Sequence, residues 1–200
     1  IFQILKSTPK FLMFGRVCYC LMIKRIFEVT LSFVLLIALA VPCVFVSILI
    51  KATSQGPILY WSNRIGVGNK VFSMPKFRSM LVKTPVVASE DLKSSEKYIT
   101  FVGQFLRMSS FDEVPQLYLV LVGDMSLVGP RPALYTQISL IEKRTKVGVS
   151  NIRPGITGLA QVMARNHSSD EEKVELDLQY LNKMSLKLDI KILFLTILVS

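Results

Sequence analysis

Leu31 to Ile50 reads LSFVLLIALAVPCVFVSILI, twenty residues without a formal charge. A straight helix needs about 20 apolar residues to cross the hydrocarbon core of a bilayer, so this run is built to meet lipid. It is too long for a cleavable signal peptide, and the motif-bearing sequence lies far beyond it. Pro42 stands in its middle, where a missing donor and a clash with the preceding turn kink a helix. The flanks are basic on both sides. Lys6, Lys10, Arg16, Lys24 and Arg25 precede the run, opposed by Glu28 alone. Lys51, Arg64, Lys70, Lys76, Arg78 and Lys83 follow it before the next acid, Glu90. A simple span carries its excess Lys and Arg on one side. Two basic flanks favour a segment that dips in, breaks at Pro42 and returns, with a kinked ordinary span as the other solution. Broken backbone at depth needs polar partners, and Ser32, Ser47 or a docked helix are the candidates.

The 200 residues carry a net charge of +10 with 51% hydrophobic residues. Such a balance points to an anionic partner, and the apolar run favours membrane and phosphate over nucleic acid. The three cysteines, Cys18, Cys20 and Cys43, make a poor disulfide framework, and the single histidine, His167, completes no zinc site.

Beyond the membrane segment, Ser54-Gln55-Gly56-Pro57 marks a turn. Ile58–Trp61 and Val71–Met74 read as strands around a Gly66–Asn69 turn. Ala88 to Lys97 reads as a polar surface stretch. Thr100 to Ser109 is a helix expected to bury a face containing Phe101, Val102, Phe105 and Leu106. Ser110 is placed to cap a further helix with Asp112 and Glu113 in its first turn. Gly129–Pro132 and Arg153–Gly155 read as rigid loops, and Glu171–Leu181 and Leu186–Val199 as helices, the last at the interface.

The Asp112-Glu113 pair holds the most chemistry. Neighbours on an α-helix project about 100° apart, so the two carboxylates suit different tasks, one as nucleophile and one as metal ligand. A helix start favours phosphate binding and an ionised carboxylate, although dipole compensation alone would also place acids there. Arg107 lies five positions upstream, and Arg131 and Arg153 sit in Pro-stiffened loops, where a guanidinium loses little entropy on forking to phosphate. Lys76 is either a further phosphate ligand or an edge-strand gatekeeper. The Gly66 and Gly68 pair is a weak phosphate-loop signal and reads better as a hairpin turn.

From Lys24 to Asp189 the chain resembles the bacterial sugar transferases, the monotopic phosphoglycosyl transferases that start glycan assembly on polyprenyl phosphate. The resemblance rests on Lys24-Arg25, Pro42, Lys76–Met80 (KFRSM), Arg107–Gln116 (RMSSFDEVPQ), Gly123–Pro132 (GDMSLVGPRP), Arg153–Val162 (RPGITGLAQV) and Leu188–Lys191. It implies that Asp112 attacks the β-phosphate of a UDP-sugar and releases UMP. The resulting aspartyl phosphosugar is then taken by undecaprenyl or another polyprenyl phosphate. Glu113 would hold Mg2+, Arg107 and Arg131 would neutralise phosphate, and Arg153 and Lys76 would support them. Departures are Val41 before the proline, where the family commonly has serine, and Met163–Asn166 and Asn63–Gly66.

The expected architecture is α+β. Residues 1–51 form an amphipathic segment and a re-entrant membrane helix hairpin. Residues 52–200 form a catalytic domain with interfacial helices and a small β-hairpin, at the cytoplasmic face of the bacterial inner membrane. The expected partners are the UDP-sugar, the polyprenyl phosphate and the bilayer, without nucleic acid and with room for a homodimer. A non-enzymatic basic membrane adaptor is the competing reading; it would need no acid pair. A membrane-tethered nucleic-acid binder would need aromatics among its basic residues, whereas Phe33, Phe45, Phe101 and Phe105 fall in apolar sequence.

Overall fold

In the computed structural model, residues 10–82, 84, 95–164 and 169–199 are described. Ala88 to Ser94 of the polar stretch and His167 lie outside them. Two long helices come first, α1 (Lys10–Ala38) and α2 (Ala40–Thr53). The chain bends by 58° between them, and among the described residues no single helix is long and apolar enough to cross a membrane. The break falls at Leu39 rather than at Pro42. Proline removes the bond its own nitrogen would make to the carbonyl four residues back, and its ring collides with that carbonyl. The carbonyl belongs to Ala38, where α1 ends, and Pro42 then sits in the first turn of α2, where its donor is not needed. Neither serine lies where the break needs a partner. Ser47 Oγ donates to Cys43 O at 2.7 Å, and Ser32 Oγ is buried without a hydrogen-bond partner. Val41, Val44, Phe45 and Ile48 of α2 are exposed, as are Phe33, Val34 and Ile37 of α1.

β1 (Leu59–Ile65) and β2 (Val71–Phe77) form an antiparallel hairpin with Leu59 opposite Phe77 and Ile65 opposite Val71. Both strands run about three residues further than their apolar cores suggest. The turn between them holds Gly68 and Asn69 at φ of 62° and 61°, which fits a glycine and an asparagine. α3 (Phe101–Met108) is capped by Thr100, whose hydroxyl accepts from Gly103 N. Its orientation differs from expectation. Gly103 and Leu106 are buried, whereas Phe101, Phe105 and Met108 point outward at 89%, 67% and 73% exposure. A Cβ on Gly103 would lie 1.9 Å from the Ser79 carbonyl oxygen, so close approach to that backbone decides which face turns in.

A 3-10 turn (Phe111–Gln116), α4 (Leu117–Val122) and β3 (Ser126–Val128) follow, then α5 (Ile138–Lys146), β4 (Gly155–Thr157), α6 (Leu159–Met163), α7 (Asp170–Lys183) and α8 (Leu186–Val199). β3 and β4 pair in parallel, Ser126 with Gly155 and Val128 with Thr157, where the sequence suggested only rigid loops. Their glycines permit it: a Cβ on Gly155 would fall 2.1 Å from Gly129 N. The main core joins Met74, Leu117, Val120, Met125, Leu127, Val128, Tyr180 and Ile192, with Leu31 and Leu35 of α1 packed against it. The chain is thus a mixed α and β fold in which a bent helix pair lies against the core.

Candidate active site

The acid pair is carried by a 3-10 turn, not by the start of an α-helix. Ser110 sits at φ 53° and its side chain caps nothing. Pro115 lies inside the turn; its missing donor delays the α pattern until Leu117. With three residues per turn, Asp112 and Glu113 project about 120° apart, so the separation of tasks survives the change of helix type.

Asp112, Glu113, Lys76, Arg107 and Arg131 all line one cleft of about 630 Å3. Lys76 comes from β2, Arg107 from the last turn of α3, and Arg131 from the loop after β3. Glu113 Oε1 takes both Lys76 Nζ at 2.5 Å and Arg131 Nη2 at 3.2 Å. Burial pushes the Glu113 carboxyl up, yet Arg131 and Lys76 overcome it and hold the group down at about 2. Lys76 is itself lowered, because burial outweighs its attraction to Glu113. Asp112 is different. It is 8% exposed, lines the cleft, and accepts no hydrogen bond from any described residue. Burial raises its pKa, and Lys76 and Arg107 oppose the shift only in part. A carboxylate held apart from its cationic neighbours keeps its lone pairs for an incoming electrophile.

Arg107 is tied by Nε to Ser79 Oγ at 3.2 Å and has no acidic partner among the described residues. Arg64 is a cation the sequence reading passed over as a site residue. It donates to Ser62 Oγ at 3.1 Å and to Pro132 O at 3.3 Å, so it grips the Pro-Arg-Pro loop. Burial and the neighbouring Arg131 lower its pKa to about 10. Its position next to Gly66 reads as turn sequence, and only the Arg64–Leu134 bridge shows what it reaches.

Arg153 is not brought to this cleft. The parallel pairing explains why: Arg131 follows the C-terminal end of β3, whereas Arg153 precedes the N-terminal end of β4. The two guanidiniums therefore stand at opposite ends of the pair, and Arg153 Nε donates to Gly123 O at 2.8 Å. Pro42 also stays outside, but the bend it causes does not, since Leu35 and Leu39 wall the cleft together with Leu117, Val162 and Val199. The lining thus combines cations with apolar side chains. Thr157 and Thr196 share a hydrogen bond of 2.6 Å in the same wall and fasten α8 to β4.

The profile of the family described as bacterial sugar transferase matches residues 19–200. The chain belongs to the bacterial sugar transferase family. Among its relatives, the undecaprenyl-phosphate glucose phosphotransferase of Komagataeibacter xylinus is 40% identical over 188 residues, 87% of this chain and 35% of the relative. The uncharacterized sugar transferase EpsL of Bacillus subtilis (strain 168) is 37% identical over 177 residues, 88% of this chain and 86% of the relative. The exopolysaccharide production protein ExoY of Sinorhizobium fredii is 35% identical over 189 residues, covering 87% and 83%. The chain thus spans about a third of the first relative and most of the other two. All the blocks that carry the sequence resemblance fall inside the stretch matched by the family profile.

A second ion cluster, absent from the sequence reading as a unit, docks α1 on the sugar transferase core. Lys24 Nζ reaches Glu28 Oε1 at 2.9 Å and Asp189 Oδ2 at 2.7 Å. Tyr180 Oη donates to Asp189 Oδ1 at 2.7 Å. Arg25 donates to Val120 O at 2.6 Å, at the C-terminal end of α4. The Lys24-Arg25 pair, read above as topology-setting charge, is therefore also a pair of tethers.

Proposed function

We propose that the chain transfers a sugar 1-phosphate from a UDP-sugar to a polyprenyl phosphate, first step of a bacterial glycan, at the cytoplasmic face of the inner membrane. The observation that carries the reading is the cleft itself. Asp112, without a hydrogen-bond or ion-pair partner among the described residues, shares the cleft with cations suited to phosphate and with apolar side chains of the helix bend and α8. Such a cleft suits two substrates, one polar and one lipidic, that share a phosphate.

In this mechanism Asp112 attacks the β-phosphorus, forms an acyl phosphate to the sugar and breaks the bond to the bridging oxygen, so that UMP leaves with that electron pair. Arg107 and Arg131 neutralise the charge that gathers on the phosphate oxygens, with Arg64 holding the Pro-Arg-Pro loop in place. A polyprenyl phosphate oxygen then attacks the same phosphorus and frees Asp112, a ping-pong route. Polyprenyl carbon would lie along Leu35, Leu39 and Val199.

The carboxylates fit Mg2+ of one kind. No group of three or more His, Cys, Asp or Glu gathers among the described residues, which suits an ion held by one or two carboxylates, water and substrate phosphates. Both cations of the Glu113 cluster sit on Oε1, leaving Oε2 for the ion. When bound, Mg2+ would offset diphosphate charge.

The bent pair supports a re-entrant topology: it exposes apolar side chains on both helices, and the sequence is basic on both of its flanks. The test incubates detergent-solubilised chain with Mg2+, polyprenyl phosphate and a panel of UDP-sugars and reads UMP. UMP release with one sugar, together with a phosphosugar adduct on Asp112 by intact mass, is expected. Silence across the panel, with Asp112→Asn behaving as the parent in membrane binding, would favour the adaptor instead.

A further inference from the structure

A second cleft, also of about 630 Å3, opens between the β1–β2 turn, α1, the α4–β3 turn and the loop before β4. No residue lines both clefts. β2 and β4 run between them: Phe72 and Arg153 line this cleft, Lys76 and Thr157 the other. Four residues of strand span roughly 13 Å.

Four cations line the second cleft, Lys24, Arg25, Lys70 and Arg153, against two carboxylates, Glu28 and Asp124. Lys24 is paired with Glu28. Arg25 is directed at the carbonyls ending α4, and Arg153 gives that end one nitrogen, Nε to Gly123 O. Completion of the helix end explains those contacts. It does not explain the remaining nitrogens of Arg153 or the ammonium of Lys70, which have no acidic partner among the described residues. Like charges gathered in a concave wall focus their field and draw an anion. A guanidinium fork beside an ammonium is suited to phosphate oxygens. Phe72, Ile152 and Met184 supply an apolar floor beside these cations.

We propose that this cleft is a second binding site, for a phosphate-bearing anion whose organic part rests on Phe72, Ile152 and Met184. The phosphate comes either from a soluble ester or from a lipid headgroup. The site does not depend on the proposed activity: a chain that transfers no sugar would still contain it.

The full chain in detergent is titrated calorimetrically with inorganic pyrophosphate, without magnesium. It is also bound to phosphatidylcholine vesicles with and without phosphatidylglycerol. Three variants accompany it: Lys70→Gln with Arg153→Gln, Lys70→Glu alone, and Arg131→Gln as a marker of the Asp112 cleft. Two classes of pyrophosphate site are expected for the parent. The double variant should weaken one class at least 10-fold, and Arg131→Gln should weaken the other. Lys70→Glu makes the same test at an exposed side chain outside any ion pair, so misfolding cannot mimic the result. If only the phosphatidylglycerol dependence is lost in the Lys70 variants, the site takes a lipid headgroup. Parent-like pyrophosphate and vesicle binding in both Lys70 variants overturns the proposal, as does a single pyrophosphate class removed by Arg131→Gln together with a phosphatidylglycerol dependence that the Lys70 variants keep. Loss of UMP release with both classes intact would count against the transferase reading alone.

Discussion

The chain holds two ion clusters of opposite balance. Under α1, one lysine, Lys24, faces two carboxylates, Glu28 and Asp189; Ser126 Oγ and Leu127 N also donate to Glu28 Oε1, and Tyr180 Oη to Asp189 Oδ1. In the cleft, Lys76, Arg107 and Arg131 outnumber Asp112 and Glu113, and Asp112 has no hydrogen-bond or ion-pair partner among the described residues. A buried cluster of opposed charges tied by several hydrogen bonds fixes geometry. A cluster left with surplus cations and an idle carboxylate is incomplete without a ligand, and perturbed groups of this kind mark sites of chemistry. The difference separates a cluster that holds the fold from one left open to a ligand.

Charge-neutral substitutions break the comparison most sharply. Asp112→Asn is expected to lower UMP release on the order of 10^3-fold or more, with the circular dichroism spectrum of the parent. Lys24→Met should do the opposite. It leaves two buried carboxylates facing each other, and loss of one partner of a buried ionic cluster destabilises by about 3–5 kcal/mol, read by denaturant unfolding. Equal stability losses in the two variants would erase the distinction. Arg131→Gln comes next: about 10- to 100-fold in UMP release, the size of losing one charge-stabilising donor or somewhat less, with a small change in stability.

The candidate site was more legible in the sequence than the fold that holds it. Asp112, Glu113, Lys76, Arg107 and Arg131 are legible because each lies in a block of unusual residue types, and the cleft brings the five together. Arg153 reads the same way in one dimension and differs in three, because strand direction is invisible in a three-residue segment. β3 and β4 are too short to show alternation; parallel pairing with buried faces on both sides erases it. The break at Leu39 was displaced from Pro42 by a turn because proline acts on the carbonyl four residues behind it. Phe101 and Phe105 have the spacing of a buried face and occupy an exposed one; periodicity finds the apolar stripe but not what it meets.

pH sharpens the contrast inside the cleft. The Glu113 carboxyl is depressed from 4.5 to about 2, so its contribution to stability is present above 4.5 and is lost as pH falls toward 2. Arg131→Gln should flatten that acid limb. Asp112 is raised above 3.8 by burial. A raised carboxyl favours the fold at low pH, and that contribution disappears as pH rises through its native value. At pH 7 the charged Asp112 therefore strains the fold. Asp112→Asn should melt higher than the parent at pH 7, and the gain should vanish below 3.8. Thermal melts of both proteins across this range measure the two limbs separately.

The smallest expected effect falls on Arg64. Its Nε and Nη1 bind Ser62 Oγ and Pro132 O in a fixed fork, so Arg64→Lys keeps the charge and loses the two-point grip. If Arg64 acts by positioning Arg131, the variant should lose UMP release by about three- to tenfold, a cost of roughly 1 kcal/mol, the net size of one hydrogen bond. It should do so without shifting the acid limb set by Glu113, because the cationic charge is retained. A variant that shifts the limb and spares turnover would assign Arg64 to electrostatics alone. One that changes neither would make the Pro132 contact structural, and Arg64 would then belong with the tethers of α1 rather than with the cleft.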